Sequence, residues 1–407
     1  MSENVIPSRS TATLDVIEGD LEVGRHAVVK GKGTPPKVAV SGTIYIEGDC
    51  VFECSLSAEN LDGEDDVTVE GDLEIRNRVN IEDGRLVITG NMTAKKVDVD
   101  RSLTVEKNLD VEEVDVGGSL IVDGATTARK IDVGGTFKAK GEVKAENIDV
   151  GGSVKIESKV DIKDIDVGGK VEVDSGKINR VDVGGSFVSK ESLEFENISV
   201  GGAVKLAGKS SGGDIDVGGS CKVEGDLKFG DIDVGGVFAI SGSAEGVDLD
   251  VGGKVQVGGN MKLSGKLDVG GIVEIGQELT ARNIDVGGRL RARKATARSK
   301  VSVGGSIETV EGVHAHYMQI GRRGKVKGPI KADEALIGKR ARVEDVYAKT
   351  ITLEREARAR NLYGESISLE SGCHVHGEVK YTENLRTERG VTFEKTPKKV
   401  DKLSLDL

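Results

Sequence analysis

The 407-residue chain contains no tryptophan and few other aromatic residues, with seven Phe and five Tyr. A β-helix enzyme that cleaves polysaccharides needs aromatic platforms for sugars, and grooves for single-stranded nucleic acid stack bases on aromatic rings. Both classes are therefore disfavoured. A narrow all-β interior needs few rings and is filled by Val, Ile and Leu, so the composition differs from that of an average globular domain.

Targeting signals are also missing. No run of eighteen apolar residues exists, so no membrane-spanning segment is predicted. Residues 1–10 are polar and lack the apolar region of a signal peptide. Together with a count of only four cysteines, these features predict a reducing, cytoplasmic location.

The motifs of common enzyme classes are absent as well. We find no Ser/His/Asp arrangement, no phosphate-binding loop and no paired-cysteine zinc motif. The strict six-residue repeat of hexapeptide acyltransferases is not present either. We therefore predict that the protein is not an enzyme and that it uses no cofactor.

What the chain has in abundance is glycine, with 57 residues, many of them in a recurring paired-glycine motif. One copy reads Ile131-Asp132-Val133-Gly134-Gly135. The residue two before each glycine pair recurs with an almost constant period of about 17 residues, which is typical of a repeat architecture. The thirteen recurring positions, in the first of which Asp100-Arg101 takes the place of the glycine pair, are Asp98, Asp115, Asp132, Asp149, Asp166, Asp182, Ser199, Asp216, Asp233, Asp250, Asp268, Asp285 and Ser302.

Aliphatic residues flank each recurring position with the two-residue period of β-strands. Three short strands in about 17 residues fit one rung of a coil in which each strand pairs in parallel with its counterpart in the next rung. We predict an all-β, single-stranded parallel β-helix (β-solenoid) of about 20 rungs, roughly 100 Å long at about 4.8 Å per rung. The predicted core ladder comprises Val133, Phe137, Val150, Val154, Val167, Val171, Val183 and Phe187.

The pattern divides the chain into five segments. Residues 1–12 are predicted to be a disordered tail, and 13–97 to be irregular rungs with inserted loops at 31–36 and 59–66, in which Glu-Gly replaces the paired glycines at Gly19, Gly48 and Gly71. Residues 98–310 form the regular array. In 311–395 the motif changes but the period persists, and 396–407 are predicted to be a second tail.

The segment 311–395 resembles the bactofilins, a family of polymer-forming cytoskeletal proteins. The resemblance rests on phrases such as Gly324-Lys325-Val326-Lys327-Gly328-Pro329-Ile330, Ala341-Arg342-Val343-Glu344-Asp345-Val346 and Cys373-His374-Val375-His376-Gly377-Glu378-Val379. It implies a right-handed β-helix whose domains join end to end into filaments without nucleotide. The chain differs from the family in its greater length and in its Asp-Val-Gly-Gly array.

The aspartates of the array form a predicted outward-facing turn Asp ladder. Stacked carboxylates repel each other, so they require compensation. Either each carboxylate accepts hydrogen bonds from backbone N–H groups of the Gly-Gly corner, or the ladder binds cations such as Ca²⁺. The ladder comprises Asp115, Asp132, Asp149, Asp166, Asp182, Asp216, Asp233, Asp250 and Asp285.

Two His-x-His pairs, His314/His316 and His374/His376, superficially suggest a metal site. Strand alternation places both members of a pair on one side. Because the two pairs occupy different positions in their repeats, we expect them on different faces, and no metal site is predicted. Cys50 and Cys221 fall in core positions and are expected to be small buried residues.

Charge is distributed unevenly. Residues 279–350 contain 16 Lys+Arg and 7 Asp+Glu, a net of +9, whereas residues 1–278 contain 31 and 52, a net of −21. A predicted basic belt within 289–349 can attract an acidic partner, an anionic membrane or nucleic acid, nucleic acid being less favoured without interleaved aromatic residues. The belt comprises Arg289, Arg291, Arg293, Lys294, Arg298, Lys300, Arg322, Arg323, Lys325 and Lys327.

Two functions remain as hypotheses. In the first, the protein is a structural, polymer-forming cytoskeletal protein that associates with itself through its β-helix ends, since an uncapped end exposes unpaired backbone groups. In the second, it is a non-polymerising scaffold whose basic belt binds an acidic partner, a membrane surface or nucleic acid. No small-molecule substrate is predicted in either case.

Overall fold

A computed structural model describes residues 4–403, and within them the chain is built from parallel β-strands without a helix. The strands form a β-solenoid of about 23 turns, repeating about every 17 residues. This confirms the predicted fold class and lies close to the predicted number of rungs. The chain divides into two units, Met1–Gly201 and Gly202–Leu407.

The first unit contains strands β1 to β23. Their bounds are β1 Asn4–Ile6, β2 Thr11–Leu14, β3 Val16–Ile17, β4 Leu21–Val23, β5 Val28–Gly31, β6 Lys37–Val40, β7 Thr43–Ile46, β8 Cys50–Glu53, β9 Ser55–Glu64, β10 Val67–Val69, β11 Leu73–Glu82, β12 Arg85–Ile88, β13 Met92–Val99, β14 Ser102–Val105, β15 Leu109–Val116, β16 Ser119–Val122, β17 Thr126–Val133, β18 Thr136–Ala139, β19 Val143–Val150, β20 Ser153–Val167, β21 Lys170–Val183, β22 Ser186–Ser189 and β23 Leu193–Val200.

The second unit contains strands β24 to β44. Their bounds are β24 Ala203–Val217, β25 Ser220–Lys228, β26 Asp231–Val234, β27 Val237–Ile240, β28 Ala244–Gly246, β29 Asp248–Val251, β30 Lys254–Val257, β31 Met261–Leu263, β32 Lys266–Val269, β33 Ile272–Ile275, β34 Glu278–Val286, β35 Arg289–Val303, β36 Ser306–Ile320, β37 Lys325–Lys327, β38 Ile330–Ile337, β39 Arg342–Leu353, β40 Arg358–Leu369, β41 His374–Val375, β42 Val379–Thr387, β43 Thr392–Phe393 and β44 Lys398–Lys399.

Each rung of the array has three faces. Face A carries the segment just before the Gly-Gly corner, such as the last four residues of β17. Face B carries the strand after that corner, such as β18, and face C carries the next segment, such as the start of β19. Strands pair with their counterparts in the preceding and following rungs, as β17 does with β15 and β19. Every side chain therefore lies in a column of equivalent side chains.

The inward columns form the core. All eight residues of the core ladder are at most 1% exposed. Cys50 and Cys221 are buried in the same interior, and burial raises the pKa of the Cys221 thiol to about 12. Because alternation places every second residue inside, aliphatic stacking is the main source of stability for each unit.

The paired glycines are required for a reason that the sequence did not suggest. Glycine at a corner often indicates a positive φ, but neither Gly134 nor Gly135 has a φ in the left-handed region. Instead, a Cβ on Gly134 would lie 2.2 Å from the carbonyl oxygen of Gly117, one rung earlier. The corner backbones stack too closely for any side chain, and the N–H of Gly134 donates to the carbonyl of Val116 at 2.9 Å.

The N-terminal segment differs from the predicted disordered tail of residues 1–12. From Asn4 onward the chain is a rung, in which β1 pairs with β4 and β2 with β5, because Ile6 reaches the core. Residues 1–3 lie outside the described residues. The predicted alignment of the Glu-Gly motifs is also wrong, since Val16 pairs with Ala39 whereas Tyr45 pairs with Glu22.

Only one of the two predicted inserted loops exists. Residues 31–36 are an insertion closed by an antiparallel bridge between Lys32 and Lys37. The repeat that runs from Val28 to its register partner Val51 is therefore longer than a repeat of the regular array. Residues 59–66 lie mostly within β9, where residues 60–64 pair with residues 78–82 of β11. The polar residues of that stretch occupy outward-facing positions of a strand and do not form a loop.

The C-terminal segment also departs from the prediction of a tail at 396–407. Strand β44 pairs with β42 through Lys398 and Lys399, and the N–H of Val400 donates to the carbonyl of Tyr381 at 2.9 Å. Residues 404–407 lie outside the described residues. Between residues 4 and 403 there is no helix with the length and apolar character to cross a bilayer.

Candidate functional site

The Asp ladder lies on face A with its side chains outward. Asp115, Asp132, Asp149, Asp166 and Asp182 are consecutive register partners in the first unit. Asp216, Asp233, Asp250, Asp268 and Asp285 are consecutive register partners in the second unit. Each carboxylate therefore faces its like-charged neighbours one rung away.

The carboxylates do not serve the corners in the way that we proposed from the sequence. The Gly-Gly N–H groups donate to backbone carbonyls of the preceding rung, as Gly135 does to Gly118 at 2.9 Å. The ladder is instead a column of like charges that repel one another. Partial burial and then repulsion from its neighbours raise the pKa of Asp115, and the same causes raise the pKa values of Asp166 and Asp268.

The ladder is also a poor fit to a cation site. Its carboxylates are supplied one per rung, about 4.8 Å apart. A Ca²⁺ ion takes roughly six to eight oxygen ligands at about 2.3–2.6 Å, which a single column of side chains does not provide. Some compensation comes from cations instead, such as Lys130, whose ammonium lies 3.2 Å from the carboxylate of Asp132.

The basic belt does not form one patch. Arg289, Arg291, Lys325 and Lys327 project from face B. Arg298 belongs to the bend before face A, and Lys300 is the first residue of face A. Arg293 is neutralised by Glu311 at 2.6 Å, and Lys300 lies 5.8 Å from the centre of the Tyr317 ring. Arg322 and Arg323 occupy a corner, and Lys294 lies beside His314, whose pKa is lowered by burial and then by that ammonium.

Face B of the second unit carries two outward columns of opposite character. The first contains Arg289, Ser306, Lys325, Arg342 and Arg358 as consecutive register partners. We call its four basic residues, Arg289, Lys325, Arg342 and Arg358, the cationic column. All four are exposed, and within residues 4–403 none of them forms an ion pair. Like charges stacked in this way repel each other, so the column favours an acidic ligand.

The second column of face B neutralises itself. Its residues alternate in sign, and Glu308 lies 4.0 Å from both Arg291 and Lys327. Further along, the guanidinium of Arg360 lies 3.9 Å from Glu344 and 2.5 Å from Asp345. Sequence reasoning missed Arg342 and Arg358 because they follow the densest run of basic letters. Their spacing from Lys325, one repeat and then a second repeat further along the chain, was the available signal.

Both outward columns of face B end at a histidine cluster, the first at His374 and the second at His376. His374 is the register partner of Arg358 and of Thr392. His376 follows on the same side of the strand, and Glu394 occupies the equivalent position in the next rung. His374 Nε2 lies 3.0 Å from His376 Nδ1, which in turn lies 2.9 Å from Glu394 Oε1. Sequence reasoning missed Glu394, since only the register of the last rungs links it to His376.

The other histidine pair lies elsewhere, on face C. His314 is a register partner of Thr296 and Lys331, and His316 Nδ1 lies 2.5 Å from the carboxylate of Asp333. The two pairs therefore occupy different faces, as their positions in the repeat predict. Among residues 4–403, only His374, His376 and Glu394 converge closely enough to share an ion.

No family model, curated protein or solved structure matches the chain. The resemblance to bactofilins therefore stays a prediction from the sequence.

Proposed function

We propose that the protein is a structural protein that polymerises by adding subunits to the ends of its β-solenoid, without nucleotide. The observation that supports this most directly is the first rung. Strands β1, β2 and β3 each pair on one side only, with β4, β5 and β6. Among residues 4–403 no element covers their outer edge. An exposed edge of this kind is a template for another strand.

The surface of the first rung supports the same proposal. Val5 is 50% exposed and Val16 is 69% exposed. Exposed valines are unusual in this chain, because most of its outward-facing positions carry polar or charged side chains. Burial of apolar surface adds to backbone pairing when two subunits meet. The rung therefore offers both unpaired backbone groups and apolar contacts.

The distribution of charge favours contacts between the first rung of one subunit and the last rung of the next. The first described rung carries Asp15, Glu18 and Asp20 against Arg9, a net negative charge. The last rung, residues 388–403, carries Arg389, Lys395, Lys398, Lys399 and Lys402 against Glu388, Glu394 and Asp401, a net positive charge. Contacts between two different surfaces of identical subunits propagate into filaments when the rotation does not close a ring. Attraction between these ends is screened by salt, so assembly is expected to weaken as ionic strength rises.

Negative-stain electron microscopy of the purified full chain, at low and at high salt without nucleotide, tests the proposal. We expect filaments at low salt. The double variant Val5→Lys/Val16→Lys places charges on the first rung, a natural means of blocking edge pairing, and should abolish them. Val310→Lys is the matched control, because Val310 is 80% exposed but lies in β36, away from the first rung. Single particles for the wild type at all concentrations would refute polymerisation.

A second candidate function is a scaffold that binds an acidic partner, and the cationic column favours it. Poly-L-glutamate is a suitable probe, with binding followed by fluorescence anisotropy at increasing salt. The variant Arg342→Gln/Arg358→Gln should weaken binding, whereas Arg291→Gln/Lys327→Gln, in the self-neutralised column, should have little effect. Equal loss in both variants would argue against the column. Binding to phosphatidylserine vesicles without binding to poly-L-glutamate would point to a membrane instead.

A further inference from the structure

Four polar side chains form a square on face B at the C-terminal end of the described chain. In β41, buried Val375 separates His374 from the next outward residue, His376. In β43, Phe393 separates Thr392 from Glu394 in the same manner. Since β41 and β43 pair in parallel with His374 opposite Thr392, the two histidines face a threonine and a glutamate.

The distances between the donor atoms resemble those of a metal shell. His374 Nε2, His376 Nδ1 and Glu394 Oε1 are separated by 3.0, 2.9 and 3.4 Å. Ligand atoms of a tetrahedral zinc ion, each about 2.0–2.1 Å from the metal, lie about 3.3 Å from one another. A small outward movement of the side chains is enough to admit the ion.

The remaining nitrogen of His374 is already oriented. Its Nδ1 lies 2.5 Å from Thr392 Oγ1. When Nδ1–H donates to this hydroxyl, the lone pair of Nε2 points to the cluster. Metal-binding histidines usually hold their second ring nitrogen in a hydrogen bond of this kind, which fixes both tautomer and ring orientation.

We propose that His374, His376 and Glu394 bind a divalent transition-metal ion, with Zn²⁺ as the best fit, and that Thr392 positions His374. Two imidazoles and one carboxylate suit Zn²⁺, whereas Mg²⁺ and Ca²⁺ prefer ligand sets made only of oxygen. Three protein ligands leave a fourth position for water or an anionic group.

The surroundings set the strength of the site. Arg360, beside His376, is neutralised by Asp345 and Glu344. Arg358, beside His374, forms no ion pair with any residue between 4 and 403, and its charge opposes a cation. With side chains that are 30%, 48% and 56% exposed, the site is open to solvent.

Metal binding also has a structural consequence. The β41–β43 ladder joins only two residue pairs, and Glu394 belongs to the later rung. An ion held by residues of both rungs ties the later rung to the solenoid, and binding to the folded state alone stabilises it. This consequence is independent of whether the protein polymerises.

Isothermal titration of the full chain with ZnCl₂ tests the site. We expect one high-affinity equivalent per chain, which His374→Ala/His376→Ala should abolish. His314→Ala/His316→Ala is the matched control, because it removes the same residue types at the same spacing from face C, and it should keep that equivalent. Unchanged binding in the first variant, or no binding by the wild type, would overturn the proposal.

Two conservative variants separate ligation from folding. Glu394→Gln keeps the shape of an exposed side chain, and its circular dichroism spectrum should match that of the wild type while the zinc affinity falls at least tenfold. Thr392→Val should reduce the affinity about tenfold, as losses of ligand-orienting groups typically do. Retention of full affinity by Glu394→Gln would contradict the proposal, as would equal heat from MgCl₂ and ZnCl₂.

Discussion

The regular array and the C-terminal rungs turn the same corner, between faces A and B, in two different ways. In the array the corner is Gly-Gly, with backbones of successive rungs stacked so closely that side chains are excluded. A Cβ on Gly151 would lie 2.4 Å from the carbonyl oxygen of Gly134. Such a corner is neutral and smooth, and the charges of each rung are confined to its faces.

The C-terminal corners use a hydrogen-bonded turn instead. The N–H of Ala341 donates to the carbonyl of Gly338 at 3.0 Å, and that of Ala357 donates to Glu354 at the same distance. The residue before the donor adopts a left-handed φ in each of these rungs. This column comprises Arg323 at 61°, Arg340 at 59°, Glu356 at 59°, Gly372 at 75° and Gly390 at 78°.

Rungs of nearly the same length can therefore present two different surfaces at this corner. Both corners preserve nearly the same rung length, but only the turn projects side chains, among them Arg322, Lys339 and Arg355. These cations flank the cationic column of face B. The array is therefore suited to extend the solenoid, and the C-terminal rungs are suited to carry charge and binding groups.

The largest effect should come from a side chain added to an array corner. Gly151→Ala places a methyl group against the carbonyl of Gly134, and the neighbouring backbone, which is itself stacked, cannot easily move. Overpacking of this kind costs about 1–3 kcal/mol, and we expect the upper part of that range. Urea unfolding followed by circular dichroism measures the loss. The transition is fitted as that of a repeat protein, in which each repeat and each interface between neighbouring repeats contributes to stability.

The explanation by close approach can be separated from one by backbone strain. The φ of Gly151 lies outside the left-handed region, so strain alone predicts almost no change for alanine. Wild-type stability in Gly151→Ala would show that the corners have room for a side chain and that our account of the paired glycines is wrong.

A smaller effect is expected at the C-terminal corners, where strain acts without a clash. A Cβ on Gly372 would meet no atom closer than 3.4 Å, yet its φ is 75°. Gly372→Ala should cost about 1 kcal/mol because a left-handed conformation is unfavourable for residues with a Cβ. Arg323→Gly, at φ 61°, should change stability in the opposite direction, and thermal unfolding of both variants provides the measurement. A loss of stability in both would contradict this assignment.

Much of the fold was predictable because the repeat fixes both period and alternation. Consecutive rungs remain in register at Gln319, Leu336, Thr352 and Ser368, although the residues of the motif change across these rungs. Prediction failed where the period is interrupted. In the N-terminal rungs an insertion at residues 31–36 shifts the register, and Glu-Gly pairs that look alike lie at different corners.

The candidate sites were less predictable because they depend on neighbours in space. The density of basic residues suggested a belt, but the bends of the rung place Arg289 and Arg298 on different parts of its surface, and Glu311 neutralises Arg293. The link between His376 and Glu394 required the register of the last rungs. A residue in the sequence can be assigned to a column only after the length of each rung is known.

The smallest expected effect concerns the Asp ladder, and it compares two aspartates of the same strand. Asp166 has Asp149 and Asp182 as register partners, whereas Asp161, also exposed in β20, has Lys144 and Lys177. Asp166→Asn removes two like-charge pairs and should stabilise the first unit at pH 7 by a few tenths of a kcal/mol. Asp161→Asn removes two attractive pairs and should be slightly destabilising.

The pH dependence gives the sharper test. Partial burial and then the neighbouring carboxylates raise the pKa of Asp166 in the folded state. The folded state therefore binds more protons than the unfolded state, and the carboxyl lowers stability as pH rises from the unfolded pKa of about 3.9 through the raised folded value. The advantage of Asp166→Asn should be complete at pH 7 and vanish near pH 3, as followed by urea unfolding at both values. An advantage that persists at pH 3 would mean that the asparagine stabilises by hydrogen bonding rather than by relief of repulsion.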